Sequence, residues 1–319
     1  MPTFCRHGRL QANCPICSKN EVSDRPATRS ARPARTRSAN PRTPKASSGI
    51  RVRRVERAPE DDYDNEYVPG LRASLDGIRL ADELAFAVAR LDELAASPPG
   101  LYAQVASATD PEEAVWLAFL IAFVGPGRGG DAWSEIETAR VPWSTGELPA
   151  LAGLKGGPRT ALGGARSGAT IEAYRAWAAR AGSQVAGLRG ESAWEPGRRF
   201  ARTFERLAVG GFARGPRYDF LVTLGALGVV PLEAGTLAVG KDALDPVISA
   251  AKRVFGIGDA INLERRASEL ARGAGVPFAA LDLALFNFAA AEDERATMGA
   301  RVGADPARRA AIGKALGVG

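Results

Sequence analysis

The stretch that most limits how this chain can fold is Ser249–Phe288, SAAKRVFGIGDAINLERRASELARGAGVPFAALDLALFNF. Its pattern predicts a helix over Ala250–Phe255, a Gly256-Ile257-Gly258 turn, a second helix starting at Asp259, and a third, apolar helix after Pro277. Glycine permits positive φ and lets another backbone come close. The first N–H groups of the second helix have no partner within that helix, so such a turn can hold a phosphate. Lys252 and Arg253 approach it from one side, and Arg265 and Arg266 follow Glu264 on the second helix. Cations beside outward N–H groups are the expected footprint for a polynucleotide backbone.

Asp282 is the only ionisable residue between Pro277 and Ala291. A helix apolar nearly all round is a buried one, and a lone carboxylate on it must find partners or face a cavity. Burial raises the pKa of a carboxylate, which is how such a group becomes a base near neutral pH. Asn287, five residues further on, is turned roughly 500° around the helix axis from Asp282, so the two do not share a face and differ in role.

A Gly-Ile-Gly hairpin followed about two dozen residues later by Asp282 resembles the helix-hairpin-helix DNA glycosylase superfamily. The resemblance implies that Gly256, Ile257 and Gly258 hold phosphate and that Asp282 flanks an extruded nucleotide. Members that also cut the backbone carry lysine two residues after the second glycine, where this chain has Ala260, so Schiff-base chemistry is not implied. The segments RRFARTFERL (198–207), RYDFLVTLGALG (217–228), AAKRVFGIGD (250–259), LERRA (263–267) and LDLALFNF (281–288) are similar to clade 3 of the alpha-glutamyl/putrescinyl thymine pyrophosphorylase family, a relative of the glycosylases. The implied activity is transfer of an amine or amino acid onto an activated, pyrophosphorylated 5-hydroxymethyl-uracil base in DNA.

Outside that block, residues 1–17 hold all three cysteines and the only histidine. Cys5, His7, Cys14 and Cys17 supply the four ligands of a closed tetrahedral zinc site, which predicts a structural zinc knuckle over 1–18. Residues 19–67 alternate arginine with Pro, Ser, Thr and Ala and offer little to bury, so this segment is expected to be a disordered basic linker. Its charge suits either DNA phosphates or a plain solvated linker. The acidic run Glu60-Asp61-Asp62-Tyr63-Asp64 marks the domain edge.

From Val68 onward the periodicity is helical, with Leu75, Ile78, Leu80, Leu84, Phe86, Val88, Leu91 and Leu94 as one apolar set. Asp110 and Pro111 are an N-cap and first position for a core helix over Val115–Val124, whose Trp116, Phe119 and Phe123 have core spacing. A further helix is expected from a Thr170 cap to Ala181, and another opening at Arg217-Tyr218-Asp219, with Asp219 either a second acid at the site or, the favoured reading, a first-turn carboxylate. The glycine-rich stretches at 125–130 and 155–159 match no P-loop and read as connections. In Pro196–Val209, Phe200, Phe204 and Leu207 form an apolar stripe, leaving Arg198, Arg199, Arg202 and Arg206 outside it. Those arginines, with Arg217, suit a substrate phosphate, or pair locally, Arg202 with Glu205 and Arg198 with Glu195.

The net charge of +6 favours an anionic partner. No apolar run reaches membrane-spanning length and no hydrophobic signal-peptide core is seen, so a cytoplasmic protein without a membrane partner is expected. The expected architecture is all-α: a glycosylase-like helical domain over 68–300 with a C-terminal tail at 301–319. Its partners would be DNA and an amine or amino-acid donor. Asp282, with Asn287, would serve base transfer; excision of a modified base and a non-enzymatic DNA-binding adaptor are the alternatives. A cleft lined by Asp282 would support an enzyme, and a filled site the adaptor.

Overall fold

Capping chemistry sets most of the helix boundaries in this computed structural model, which describes residues 58–128, 131–163, 166–240 and 244–319. The described residues form twelve α-helices and no strand: α1 (Ser74–Ala96), α2 (Leu101–Ser107), α3 (Pro111–Val124), α4 (Ser134–Ala139), α5 (Ser167–Arg180), α6 (Gln184–Arg189), α7 (Pro196–Arg206), α8 (Arg214–Ala226), α9 (Pro246–Phe255), α10 (Ala260–Ala274), α11 (Phe278–Ala289) and α12 (Pro306–Ala315). The all-α expectation holds over this range. None of these helices is long and apolar enough to cross a membrane.

Helix α3 starts where expected, with the Asp110 carboxylate accepting from the Glu112 N–H at 2.8 Å and Pro111 in the first turn. Ala114–Val124 are all buried, and Gly125 ends the helix at φ 77°. Phe119 stacks on Tyr174 at 3.8 Å between ring centroids and on Trp116 at 5.4 Å, so these aromatics are core. Around α3 gather α2, α5, α6, α7 and α8, giving one hydrophobic core. A second core joins α1, α9, α10, α11 and α12. Helix α11, apolar except for Asp282 and Asn287, belongs to that second core through Leu281, Leu285 and Phe288.

Several boundaries differ from the sequence expectation, each for a local reason. Helix α5 begins at Ser167, because the Thr170 hydroxyl turns back to the Arg166 carbonyl instead of capping. Helix α8 opens at Arg214, since Pro216 sits in a first turn that needs no donor from it. Asp219 therefore lies in the second turn and is buried, where the dipole of the helix start no longer explains it. Helix α9 starts at Pro246, capped by the Asp245 carboxylate on the N–H groups of Val247 and Ile248. Leu75, expected in the apolar stripe of α1, is 59% exposed.

Residues 301–319, expected as a tail, contain α12, which packs against α1 and buries Ile312 and Leu316 in the second core. The Tyr63 hydroxyl donates to the Leu316 carbonyl at 2.6 Å and the Asn65 amide to Ala315 at 3.1 Å. The last ten positions of the expected linker, 58–67, are thus part of the helical body. The expected zinc knuckle, with Cys5, His7, Cys14 and Cys17, and the linker up to residue 57 lie outside the described residues.

Candidate functional site

Helices α9 and α10 are joined by the short turn Gly256–Asp259, with α10 starting at Ala260, one residue later than expected. Gly256 ends α9 in the left-handed region at φ 65°, and Asp259 caps α10 by accepting from the Asn262 N–H at 3.0 Å. The backbone N–H groups of Ile257, Gly258, Ala260 and Ile261 make no hydrogen bond among the described residues. Gly256, Gly258 and Ile261 are exposed, and a Cβ placed on Gly258 would meet nothing within 4 Å. Behind the turn, the Gly70 N–H donates to the Val254 carbonyl at 2.9 Å. No side chain fits at Gly70, because a Cβ there would lie 2.1 Å from the Arg253 carbonyl.

The cations expected around this turn are mostly committed elsewhere. Arg253 pairs with Asp76 at 2.7 Å and lies 4.8 Å from the Phe288 ring centroid. Arg265 and Arg266 both pair with Glu269, at 2.6 and 3.0 Å. Glu264 caps two backbone N–H groups, those of Leu237 and Val239. Lys252 is exposed and has no carboxylate partner among the described residues.

Asp282 sits in a different setting from the one an accessible base requires. It is 1% exposed, at the seam between the two cores, and both carboxylate oxygens are taken by buried arginines. Arg159 donates to Asp282 at 2.6 Å and grips Asp219 through two bonds of 2.6 and 3.0 Å. Arg214 donates to the other Asp282 oxygen and to the Leu237 carbonyl, and lies 3.7 Å from Asp245. Burial disfavours the charge of Arg159, yet the flanking carboxylates of Asp219 and Asp282 outweigh it and hold the guanidinium firmly protonated. Burial pushes the Asp219 carboxyl upward, and Arg159 works against that shift. Nη1 of Arg159 and Nε of Arg214 are buried without a hydrogen-bond partner. Asp219, expected as a first-turn carboxylate, is instead half of a bidentate pair that ties α8 to the loop at 159.

Asn287 is equally buried and shares nothing with Asp282. Its amide donates to Glu83 at 3.0 Å and to the Ala296 carbonyl at 3.1 Å, and its oxygen accepts from the Ala296 N–H at 2.8 Å. Every strong hydrogen-bonding position it has faces α1 and the segment after α11, which makes it a latch. The two residues grouped as catalytic are therefore on opposite sides of one helix, as their spacing implied.

The arginines of α7 also find local partners. Arg199 is buried, donating to the Arg189 carbonyl at 2.9 Å and the Pro231 carbonyl at 3.0 Å, so it braces loops. Arg202 pairs with Glu205 at 3.1 Å. Arg206 donates to Gly187, and Arg198 lies over Trp194 at 6.0 Å instead of on Glu195. Arg217 stacks on Phe204 at 4.0 Å, and burial, then the nearby Arg214, pulls its pKa down. These five do not converge on one substrate-phosphate pocket.

The glycine-rich stretches do meet. The Gly157 N–H donates to the Val124 carbonyl at 3.0 Å, and a Cβ at Gly157 would lie 2.1 Å from the Pro126 carbonyl. Together they border a cavity of about 790 Å³, walled by Gly127, Lys155, Pro158, Pro246 and Phe286. Asp282 does not line it. Phe286, one turn beyond Asp282, does, and its ring lies 4.8 Å from the Arg159 guanidinium. Sequence reasoning missed Arg159 and Arg214 as partners of Asp282, because no spacing rule links residues 123 and 68 positions apart. The available signal was the need itself: a carboxylate on a buried helix requires a buried cation.

No family model matches this chain, and neither a search of curated proteins nor one of solved structures finds a similar protein. Among the described residues no group of three or more His, Cys, Asp or Glu is placed to hold a metal ion.

Proposed function

We propose that this chain is a DNA-binding protein of helix-hairpin-helix type, in which the Gly256–Gly258 turn holds the strand backbone and Asp282 is a structural carboxylate. The observation that carries this reading is the open row of N–H groups at Ile257, Gly258, Ala260 and Ile261 on an exposed turn. Helix starts of this kind bind phosphate through unpaired donors and the helix dipole. The sealed state of Asp282 weighs for the adaptor over the enzymes, since a base must come within hydrogen-bond reach of the proton it takes.

The test is fluorescence anisotropy of labelled DNA with the full chain and with Gly258→Glu. Open space around Gly258 means that the substitution leaves the fold intact, while its carboxylate faces the phosphate path. Affinity should fall about tenfold or more, as charge-assisted hydrogen bonds to phosphate weaken and repulsion is added. Unchanged affinity would sink the hairpin reading.

A second reading keeps the clamp and adds base modification, by amine transfer or by excision. It is favoured by the cavity that places Phe286 between open space and the Arg159–Asp282 pair. Chemistry there requires Asp282 to part from one arginine. Incubating the protein with DNA carrying phosphorylated hydroxymethyl-uracil and an amine, then weighing the bases, decides it. An adduct indicates transfer, a free base indicates excision, and unaltered bases leave the adaptor standing.

A further inference from the structure

Helix α10 turns one row of side chains toward solvent. Ile261, Arg265, Ser268 and Arg272 follow one another at spacings of four, three and four residues, which places them along one face. The opposite face buries Leu263, Ala267, Leu270 and Ala271. The row itself holds no carboxylate. The Asp259 and Glu264 carboxylates beside it are committed to backbone N–H groups, Asp259 to that of Asn262 and Glu264 to those of Leu237 and Val239. Glu269 is shared by Arg265 and Arg266, at 2.6 and 3.0 Å, so one carboxylate serves two guanidinium groups. Arg272 has no carboxylate partner among the described residues. Three arginines against one outward carboxylate leave this side of α10 with surplus positive charge, and such a face suits a polyanion. From Ile261 to Arg272 it runs roughly 16 Å, at about 1.5 Å per residue.

The row begins among the open N–H groups of the turn. Ile261 is 81% exposed, and its own N–H is one of the four without a partner among the described residues. A phosphate held by the N–H groups of Gly258, Ala260 and Ile261 therefore brings whatever is bonded to it beside the Ile261 side chain. A bare phosphate brings only oxygen and water. A polynucleotide brings a sugar on each side of the phosphate, and there deoxyribose offers carbon where ribose offers its 2′-hydroxyl. Pressing a hydroxyl against an alkyl chain with no hydrogen-bond partner is unfavourable.

From the exposed isoleucine and the surplus arginine charge on one face we propose that the outer side of α10 carries a DNA strand. The turn holds one phosphate, Ile261 packs on the adjoining deoxyribose, and Arg265 and Arg272 meet the phosphates that follow. Ile261 is thereby the residue that selects DNA over RNA. The arginines set the strength and salt dependence of binding for either polymer, and the isoleucine sets the choice of sugar.

The inference rests on the hairpin reading, and its test separates the two. Fluorescence anisotropy is read on labelled single strands of DNA and RNA of one sequence, with the full chain, Gly258→Glu, Ile261→Ser and the double variant Arg265→Gln, Arg272→Gln. All four positions are exposed, so the substitutions leave the packing intact. The parent should prefer DNA by about fivefold or more, from the cost of burying an unpaired hydroxyl. Ile261→Ser should bring the two affinities within about twofold of each other at an unchanged salt slope, because the serine hydroxyl supplies the missing partner. The arginine double variant should keep the DNA preference and lower the slope of log affinity against log salt by about 1 to 1.5, near 0.7 for each single-strand phosphate no longer neutralised. Equal affinities in the parent, or a preference that Ile261→Ser leaves in place, overturns the sugar contact, and a slope unmoved by the arginine pair overturns the track along α10. In either case, binding lost in Gly258→Glu keeps the hairpin reading standing. A parent that sediments as a dimer and turns monomeric in Ile261→Ser places a second copy of this chain on the face and overturns the proposal as well.

Discussion

Changing Asp282 to Asn distinguishes a structural carboxylate from a catalytic one by the sign of its effect on stability. In the folded chain Asp282 faces Arg159 and Arg214, with Asp219 and Asp245 as the other carboxylates of the cluster. Asparagine keeps the volume and one acceptor but removes the charge, leaving two buried guanidinium groups with two carboxylates to share. One of those carboxylates, Asp245, is only loosely approached at 3.7 Å and is also engaged in capping α9. Removing one partner of a buried ion pair costs about 3–5 kcal/mol, most of it from the charges left behind. With a urea slope of about 3 kcal/mol per molar for a body of this size, the midpoint should fall by about 1–2 M. Circular dichroism across a urea series at neutral pH measures this. Arg159→Met should cost a similar amount, and the Asp282→Asn, Arg159→Met double variant should cost less than the sum, since each breaks the same ion pair. A functional carboxylate held against its own stability would behave oppositely, its removal raising the midpoint. A rise, or a change below about 0.5 kcal/mol, refutes the structural assignment.

Asn287→Ala should cost about 2–4 kcal/mol by orphaning the Ala296 N–H and loosening Glu83, with hydrogen exchange accelerating first over 291–300 and DNA affinity unchanged. Gly70→Ala should destabilise by about 1–3 kcal/mol or more, because its methyl has only backbone atoms of Arg253 and Gly256 to displace; a melting temperature indistinguishable from the parent would contradict the close packing there. Burial, then the charge of Asp64, pushes the Tyr63 hydroxyl up to about 12. A phenol with a raised folded pKa contributes stability that is complete below its unfolded value near 10 and is lost as pH rises through about 12. Thermal melts across that alkaline window should therefore fall faster for the parent than for Tyr63→Phe.

What the sequence disclosed was local. Asp110, Asp245 and Asp259 are caps, and Gly256 sits in the left-handed region, because such signals act within three or four residues of the chain. The stripe Phe200, Phe204 and Leu207 is buried as its spacing implies. That Asp282 lies on a buried helix was equally readable, and so was its separation from Asn287. Hidden were the destinations of long side chains. Arg199 ends on two carbonyls, Arg217 on an aromatic face and Arg159 on two carboxylates, and all three look alike in sequence. An arginine stem reaches whatever the neighbouring loops deliver to it, so its role is decided by tertiary packing.

The placement of the ion cluster also limits what it can do for the clamp. Val254, Phe255, Leu263 and Leu270, which hold the two hairpin helices together, belong to the second core, packed on Leu281, Leu285 and Phe288 of α11. The cluster is centred beside them, where Arg214 of α8 and Arg159 of the preceding loop reach Asp282. It touches the hairpin helices at two points: Asp245 also caps α9, and the Leu237 carbonyl that accepts from Arg214 belongs to a residue whose N–H is held by Glu264 of α10. Loss of the Asp282 charge leaves the Asp245 cap bonds to Val247 and Ile248 and the Glu264 bonds to Leu237 and Val239 unbroken, so it loosens the seam between the cores before it reaches the apolar packing beneath the turn. In Asp282→Asn, held folded by low temperature, DNA affinity should stay close to that of the parent while the unfolding midpoint drops. A clamp that weakened in step with the seam would mean that the strand is gripped across both cores, with the cavity beside Phe286 as the place to look for its second hold on the strand.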